Sequence, residues 1–148
     1  MALDVRPLTA TLGADVSGVD MADVDDSTLE ALHRAWLDHK VLVLRDQHIT
    51  TEEHIAFGRL FGDLEVHPFA AHRRARTDHP EVVTIRSDAE TTYSASLWHS
   101  DVTWREAPSM GSVLRAVEIP PVGGDTCFAD ATAAYDRLPD AWKSRVDD

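Results

Sequence analysis

The chain has 148 residues, of which 43% are hydrophobic, and its formal net charge is -12. This composition allows one domain with a core and excludes a disordered acidic tail. The excess of acidic groups repels phosphate backbones and anionic lipid surfaces, so we expect neither a nucleic-acid partner nor a membrane partner.

The amino-terminal segment predicts short strands followed by a helix. VRPLTATLGADVSGVDMAD contains short β-type runs broken by glycine, which indicates a sheet edge or a meander. Ser27 and Glu30 form a capping-box pattern, and apolar residues then recur at helical spacing, so we expect an amphipathic helix over residues 27–39. The run VLVLR at 41–45 is typical of a buried strand.

A second capping-box pattern, Thr50 with Glu53, predicts another helix, which we expect to end at Gly62. The sequence then changes character, because short β-rich runs separated by Gly, Pro, Ser and Asp favour an antiparallel β core. The tail returns to a helical pattern in which Pro139 begins a new turn. The four β-rich runs are EVVTIR (81–86), LWHSDVTW (97–104), SVLRAVEI (112–119) and DTCFA (125–129).

The run LWHSDVTW contains a possible pair of metal ligands, His99 and Asp101. Residues two apart on a strand point to the same face, so an imidazole nitrogen and a carboxylate oxygen would enter one cavity. Two histidines and one carboxylate on one face of an octahedron are the ligands of non-haem Fe(II) oxygenases. An accidental pair on an exposed strand is the alternative, and the spacing alone does not decide between them.

Four stretches occur in the chain in this order: HKVLVLRDQHIT, FGRLFGDLEVHPF, LWHSDVTW and EAPSMGSVLRAVEIPPVGGDTCFADATAAYDRL. Together they resemble the taurine dioxygenase (TauD/TfdA) family of Fe(II)- and 2-oxoglutarate-dependent dioxygenases, and the resemblance covers nearly all of the chain. It implies an α+β, mostly β fold, a double-stranded β-helix (jelly roll) with flanking helices. It also implies that residues 1–148 are a single domain, the amino-terminal portion of a dioxygenase domain, so that the jelly roll is incomplete in this chain.

The same resemblance implies roles for five residues. His99 and Asp101 match two iron ligands, and Thr126, in GGDT, matches a threonine whose hydroxyl contacts a carboxylate of 2-oxoglutarate. Val102 and His67, in EVHPF, match positions that line the substrate pocket. For His67, a loop histidine before proline that binds no ligand is an equal alternative. The family's distal histidine and its 2-oxoglutarate-binding arginine have no match in this chain.

The resemblance implies an enzyme that uses Fe(II), 2-oxoglutarate and O2 to hydroxylate a small organic anion and releases succinate and CO2. A sulfonate or a sulfate ester, such as taurine or an alkyl sulfate, is the expected substrate. Ala70 stands where the taurine-specific enzyme has a tyrosine, which argues against taurine itself.

Two alternatives to this enzyme remain open. One is a non-catalytic truncated fragment that lacks the distal histidine and the arginine. The other is a cupin-type metal-binding barrel, for which HPE at 79–81 is the only similar spacing. A single cysteine, Cys127, and the absence of a long apolar run lead us to expect a cytoplasmic protein. A homo-oligomer is left open for the full-length form.

Overall fold

The computed structural model describes residues 3–66, 78–86 and 97–147. They form two compact units, the first made of Met1–Thr50 with Val117–Asp148 and the second of Thr51–Ala116. The single domain expected over residues 1–148 stays a prediction.

The first unit contains a three-stranded sheet with the order β1 (Asp4–Pro7), β2 (Ala14–Ser17) and β3 (Leu42–Leu44). β1 runs antiparallel to β2, with Asp4 opposite Ser17, and β2 runs parallel to β3, with Ala14 opposite Leu42. A parallel pair requires a crossover connection, which helix α1 (Asp26–His39) supplies. The predicted sheet edge and the predicted strand at 41–45 are therefore confirmed, although the strand is half-buried and not buried as predicted.

Helix α1 begins one residue before the predicted range, and its cap differs from the predicted one. The N-cap is Asp25, whose Oδ1 accepts a hydrogen bond from the backbone N–H of Thr28 at 2.7 Å. The capping box placed at Ser27 is therefore wrong, because Ser27 instead donates its hydroxyl to Asp25 at 2.9 Å. An ionised carboxylate is the better acceptor at the positive end of the helix dipole. These hydrogen bonds, the one from Thr28 first, lower the pKa of Asp25.

Lys40 ends α1 and joins three segments of the first unit. Its ammonium group donates to the carbonyl oxygen of Thr11 at 3.0 Å and lies 3.2 Å from Oδ2 of Asp130. Asp130 is the N-cap of α3 (Ala131–Asp136), and its Oδ1 accepts from the backbone N–H of Ala133 at 3.0 Å. The side chain of one lysine thus links the β1–β2 loop, the end of α1 and the start of α3.

The last helix, α4 (Asp140–Asp147), follows Pro139 as predicted. The backbone N–H of Trp142 donates to the carbonyl of Pro139 at 2.8 Å, and the Tyr135 hydroxyl donates to Asp147 at 2.8 Å. The hydrogen bond to this carboxylate raises the pKa of Tyr135. Among residues 3–66, 78–86 and 97–147, no helix is both long and apolar enough to cross a bilayer.

The second unit begins with helix α2 (Thr51–Arg59), which starts directly after Thr50 as the sequence predicts. Tight turns continue the chain from its end, and the N–H of Gly62 donates to the carbonyl of Arg59 at 3.3 Å. A Cβ atom on Gly58 would lie 3.1 Å from Cδ2 of Leu64, so the chain after the helix returns closely against it. The regular helix ends three residues before the predicted Gly62 because these turns follow it.

None of the four β-rich runs forms a strand in the part of the chain that the structure describes, so these four predictions are wrong there. A strand is stable only when a neighbouring strand takes up its N–H and C=O groups, and the described sheet consists of β1, β2 and β3 alone. Apolar side chains of these runs that would face a β core, such as Leu114 and Ile119, are exposed. The described architecture is a small sheet with helices, which leaves the jelly roll as a proposal.

Candidate functional site

His99 and Asp101 lie side by side in the second unit. Nε2 of His99 is 3.5 Å from Oδ1 of Asp101, and the two side chains are 56% and 62% exposed. The proximity expected from their spacing is present, but a turn over residues 101–104 produces it, and not a strand. The sequence thus predicted that the two side chains lie close together but predicted the wrong backbone conformation, and their role as metal ligands stays a prediction.

The next residue, Val102, holds this turn in an uncommon conformation. Its φ is 47°, which is unfavourable for a β-branched side chain, and its side chain is buried. The backbone N–H of Arg105 donates to the carbonyl of Val102 at 3.1 Å and closes the turn. Such strained positions persist only where surrounding contacts hold them, and they are frequent at functional sites. The role of Val102 in lining a substrate pocket stays a prediction.

The ring of His99 is oriented by the backbone. Its Nδ1 lies 2.8 Å from the carbonyl oxygen of Leu97, and because a carbonyl can only accept, Nδ1 carries the proton. Nε2 then faces Asp101 and, in a neutral ring, has the lone pair that a metal would accept. Metal-binding histidines typically donate their second ring N–H to a carbonyl or carboxylate in this way.

The two facing atoms suit a shared cation. Metal–ligand bonds of about 2.0–2.2 Å allow two ligand atoms to be up to roughly 4.4 Å apart, so a 3.5 Å separation fits. One nitrogen and one carboxylate oxygen are also the ligand types of a two-histidine, one-carboxylate iron site. Within the described ranges, no group of three His, Cys, Asp or Glu side chains could hold a metal ion. The described residues therefore fit two positions of such a site.

An acidic residue that sequence reasoning missed contacts the segment after the turn. Oε1 of Glu65 pairs with the guanidinium of Arg105, and Oε2 accepts a hydrogen bond from the hydroxyl of Ser109. Glu65 comes two residues before His67 in EVHPF, and Arg105 comes four residues after Asp101. The sequence signal that could have pointed to Glu65 and Arg105 is that each lies within a few residues of a predicted site residue.

Thr126 belongs to the first unit and is exposed. It follows the PPVGG turn, in which Gly124 has a φ of 77° and a Cβ would lie 3.2 Å from Cγ of Pro120. A side chain at Gly124 would be strained by the backbone conformation and would crowd the proline ring. Four residues later Asp130 caps α3, so the segment that carries Thr126 is held at both ends. Its role toward 2-oxoglutarate stays a prediction.

His67 lies outside the described residues, as do Ala70 and His72. The histidines at 79 and 54 have partners of their own: His79 Nε2 is 3.3 Å from Glu52 Oε1, and His54 Nε2 is 3.0 Å from the Val113 carbonyl oxygen. Glu81 pairs with Arg59 at 3.4 Å. The HPE residues at 79–81 thus make contacts away from His99, which removes the support for a cupin-type site.

Comparison with known proteins identifies the family. The model of the family "Taurine catabolism dioxygenase TauD, TfdA family" matches residues 4–148. An (S)-phenoxypropionate/alpha-ketoglutarate-dioxygenase of Sphingobium herbicidovorans is 43% identical over 148 residues, which are 99% of this chain and 51% of that protein. An alpha-ketoglutarate-dependent sulfate ester dioxygenase of Pseudomonas putida is 34% identical over 151 residues, covering 98% of this chain and 47% of that protein.

A solved structure agrees with these relatives. The crystal structure of a taurine dioxygenase from Burkholderia xenovorans superposes with a TM-score of 0.83 at 34% identity, covering 98% of this chain and 51% of the other. The chain spans about half the length of the relatives it matches. Fe(II) is the cofactor and 2-oxoglutarate the co-substrate of such dioxygenases, which confirms both expectations for the family. Matched from residue 4 to residue 148, the chain belongs to the taurine catabolism dioxygenase TauD, TfdA family.

Proposed function

We propose that this chain forms the amino-terminal portion of an Fe(II)- and 2-oxoglutarate-dependent dioxygenase domain in which His99 and Asp101 supply two of the iron ligands. The observation that carries the proposal is the 3.5 Å separation between Nε2 and Oδ1, with the other ring nitrogen bonded to the Leu97 carbonyl at 2.8 Å. Iron, when bound with 2-oxoglutarate, supplies the activation of O2. The protein contributes two oriented ligands and, through the exposure of both side chains, access for further ligands.

The proposed activity is that of a whole domain, and this chain spans about half of such proteins. We propose that the distal histidine and the arginine come from the remainder of that domain. A site with two protein ligands binds Fe(II) weakly, and without the arginine the far carboxylate of 2-oxoglutarate lacks its bidentate partner. The 148 residues alone are then expected to bind metal without turning over 2-oxoglutarate.

Three further residues complete the proposal. Thr126 would donate its hydroxyl to a carboxylate of 2-oxoglutarate, while Val102 and His67 would line the pocket for the primary substrate. Support for Thr126 comes from the left-handed turn at Gly124, which precedes it and brings backbone close to the Pro120 ring. The proposed fold of the whole domain is a double-stranded β-helix (jelly roll) with flanking helices.

The proposed substrate is a small organic anion, and O2 is the co-oxidant. A sulfonate or a sulfate ester is the first candidate, in keeping with the relative named as a sulfate ester dioxygenase. Hydroxylation of the carbon that bears such a group releases sulfite or sulfate. A phenoxy acid is the second candidate, favoured by the 43% identity to the phenoxypropionate dioxygenase. A cytoplasmic location and a homo-oligomeric full-length form stay predictions.

Anaerobic Fe(II) titration of the purified chain and its variants tests the ligand assignment. H99A and D101A are each expected to abolish specific Fe(II) binding, because a single ligand remains. H54A is the matched control, since His54 is a half-buried histidine of the same unit whose ring contacts a carbonyl. Full Fe(II) affinity in H99A would refute the proposed site.

A second assay tests whether this chain alone turns over 2-oxoglutarate or needs the remainder of the domain. Succinate formation from 2-oxoglutarate is measured with Fe(II) and, in separate reactions, taurine, an alkyl sulfate and (S)-phenoxypropionate. We expect no turnover by this chain alone. If the original chain does turn over 2-oxoglutarate and H99A abolishes that turnover, the two identified ligands suffice. The distal histidine and the arginine are then dispensable.

A further inference from the structure

We propose that Glu65 is a positioning residue for the metal pair, which it holds in place through Arg105 and Ser109. This inference rests on the proposed function, because it assumes that His99 and Asp101 bind a metal. Glu65 itself has both carboxylate oxygens engaged by the protein, Oε1 by Arg105 and Oε2 by Ser109. It therefore acts on the turn and not as a metal ligand.

The turn that carries Asp101 has few constraints of its own. Among the described residues it belongs to no strand ladder, and a backbone hydrogen bond of 3.1 Å from the N–H of Arg105 to the carbonyl of Val102 closes it. Its Val102 has a φ of 47°, a conformation that an isolated chain would leave. Contacts from elsewhere in the second unit must therefore keep the turn, and with it the facing atoms of His99 and Asp101, in place.

Glu65 connects this turn to the most regular element of the second unit. The residue before it, Leu64, lies against helix α2 at Gly58, where a Cβ would be only 3.1 Å from Leu64 Cδ2. That helix is anchored by the buried side chains of Ile55 and Phe57. Helix α2 thus contacts Leu64, the neighbouring Glu65 follows it in the chain, and Glu65 contacts the segment that follows the turn.

The contacts at Arg105 and Ser109 hold that segment at two points. Both residues bind the same carboxylate, so the chain between them, which includes Pro108, is fixed relative to Glu65. Arg105 also supplies the backbone N–H that closes the turn, four residues after Asp101. A charge-assisted contact to a carboxylate is stronger than a neutral one, which suits it to hold a strained turn.

A second Glu–Arg pair in the same unit provides the matched control. Glu81 lies 3.4 Å from Arg59 of α2, and its side chain is 16% exposed, compared with 30% for Glu65. The pair joins α2 to the segment at 78–86, and within the described ranges no hydrogen bond or ion pair connects it to the turn. E81Q therefore removes a comparable charge from the unit without acting on the metal pair.

The experiment uses the 148-residue chain with Co(II) alone as the probe, followed by NMR so that weak binding is measurable. E65Q and R105M are expected to weaken Co(II) binding about tenfold, as loss of a group that orients a metal ligand does. R105K, which keeps the charge, is expected to stay within about threefold of the original chain. E81Q is expected to leave Co(II) affinity unchanged, and thermal unfolding of all variants separates positioning from a general loss of stability.

Amide hydrogen exchange of the metal-free chain provides the second readout. E65Q is expected to speed exchange at residues 101–105 about tenfold while E81Q does not, since the turn alone loses its support. Equal Co(II) affinity and equal exchange in E65Q and E81Q would overturn the inference. If the original chain binds Co(II) no better than H99A does, the proposed function fails, whereas the exchange comparison still decides whether Glu65 holds the turn.

Discussion

Nζ of Lys40 lies 3.2 Å from Oδ2 of Asp130, so the residue that ends α1 is paired with the residue that caps α3. The Asp130 side chain is only 7% exposed, and the same ammonium group donates to the Thr11 carbonyl at 3.0 Å. A helix as short as α3, with six residues, is not stable by itself and depends on such contacts. The pair therefore anchors the segment that follows Thr126.

Replacements at Lys40 are expected to separate the effect of its backbone conformation on stability from the effect of its charge. Lys40 has a φ of 67°, which costs a non-glycine residue about 1–2 kcal/mol. K40M keeps this cost and loses the ion pair, whereas K40G loses the ion pair but relieves the backbone. K40G should therefore be more stable than K40M by about 1 kcal/mol in urea unfolding. Equal stability would show that the backbone at Lys40 is unstrained.

The stability of the first unit is expected to fall at acid pH through Asp130. The hydrogen bond from Ala133 and then the contact with Lys40 hold the pKa of Asp130 below its ordinary value of 3.8. A lowered folded-state pKa stabilises the fold above the ordinary value, and that contribution is lost as the pH falls from 3.8 through the folded pKa.

D130N tests this pH dependence, because asparagine can still cap α3 but does not titrate. The free energy of unfolding of D130N should fall less steeply below pH 3.8 than that of the original chain. D25N is expected to have a similar effect, since the pKa of Asp25 is also lowered. An unchanged slope in D130N would contradict a contribution from this carboxylate.

Leu32 lies on the buried face of α1 and Leu37 on its exposed face, so the two leucines form a matched pair for substitution. Leu32 is 1% exposed and Leu37 is 65% exposed. L32A is expected to lower the free energy of unfolding by about 2–5 kcal/mol, because it removes buried surface and leaves a cavity. L37A should change it by less than about 0.5 kcal/mol in the same denaturant experiment. Similar losses in both variants would show that Leu32 is not part of the core.

Thr126 is expected to affect 2-oxoglutarate and not the metal. T126V keeps the shape of the side chain but removes the hydroxyl, so we expect it to weaken 2-oxoglutarate binding in the presence of Co(II) by about tenfold. T126S should bind nearly as well as the original chain. Equilibrium dialysis with labelled 2-oxoglutarate measures both, and T132V, an exposed threonine of α3, is the control. Undiminished binding by T126V would remove Thr126 from the proposed site.

Local sequence patterns predicted most of the regular elements. Apolar residues at helical spacing predicted α1 to within one residue, and VLVLR predicted β3. The sequence predicts the cap of α1 two residues too late, because Ser27 and Asp25 are both suitable caps and only the structure shows that Thr28 donates to Asp25. Short-range preferences determine helices well, since the hydrogen bonds of a helix join residues of the same segment.

The sequence by itself determined the family of this protein and pointed to His99 and Asp101 as the proposed pair, because both inferences depend on residue types in a given order. The tertiary structure decided how that pair meets: through a turn with Val102 at a φ of 47° and not on a strand. It also revealed Glu65 beside Arg105 and Ser109, at sequence separations that no local pattern indicates. β-rich runs need partner strands, and contacts between distant residues need a folded chain, so neither follows from local sequence alone.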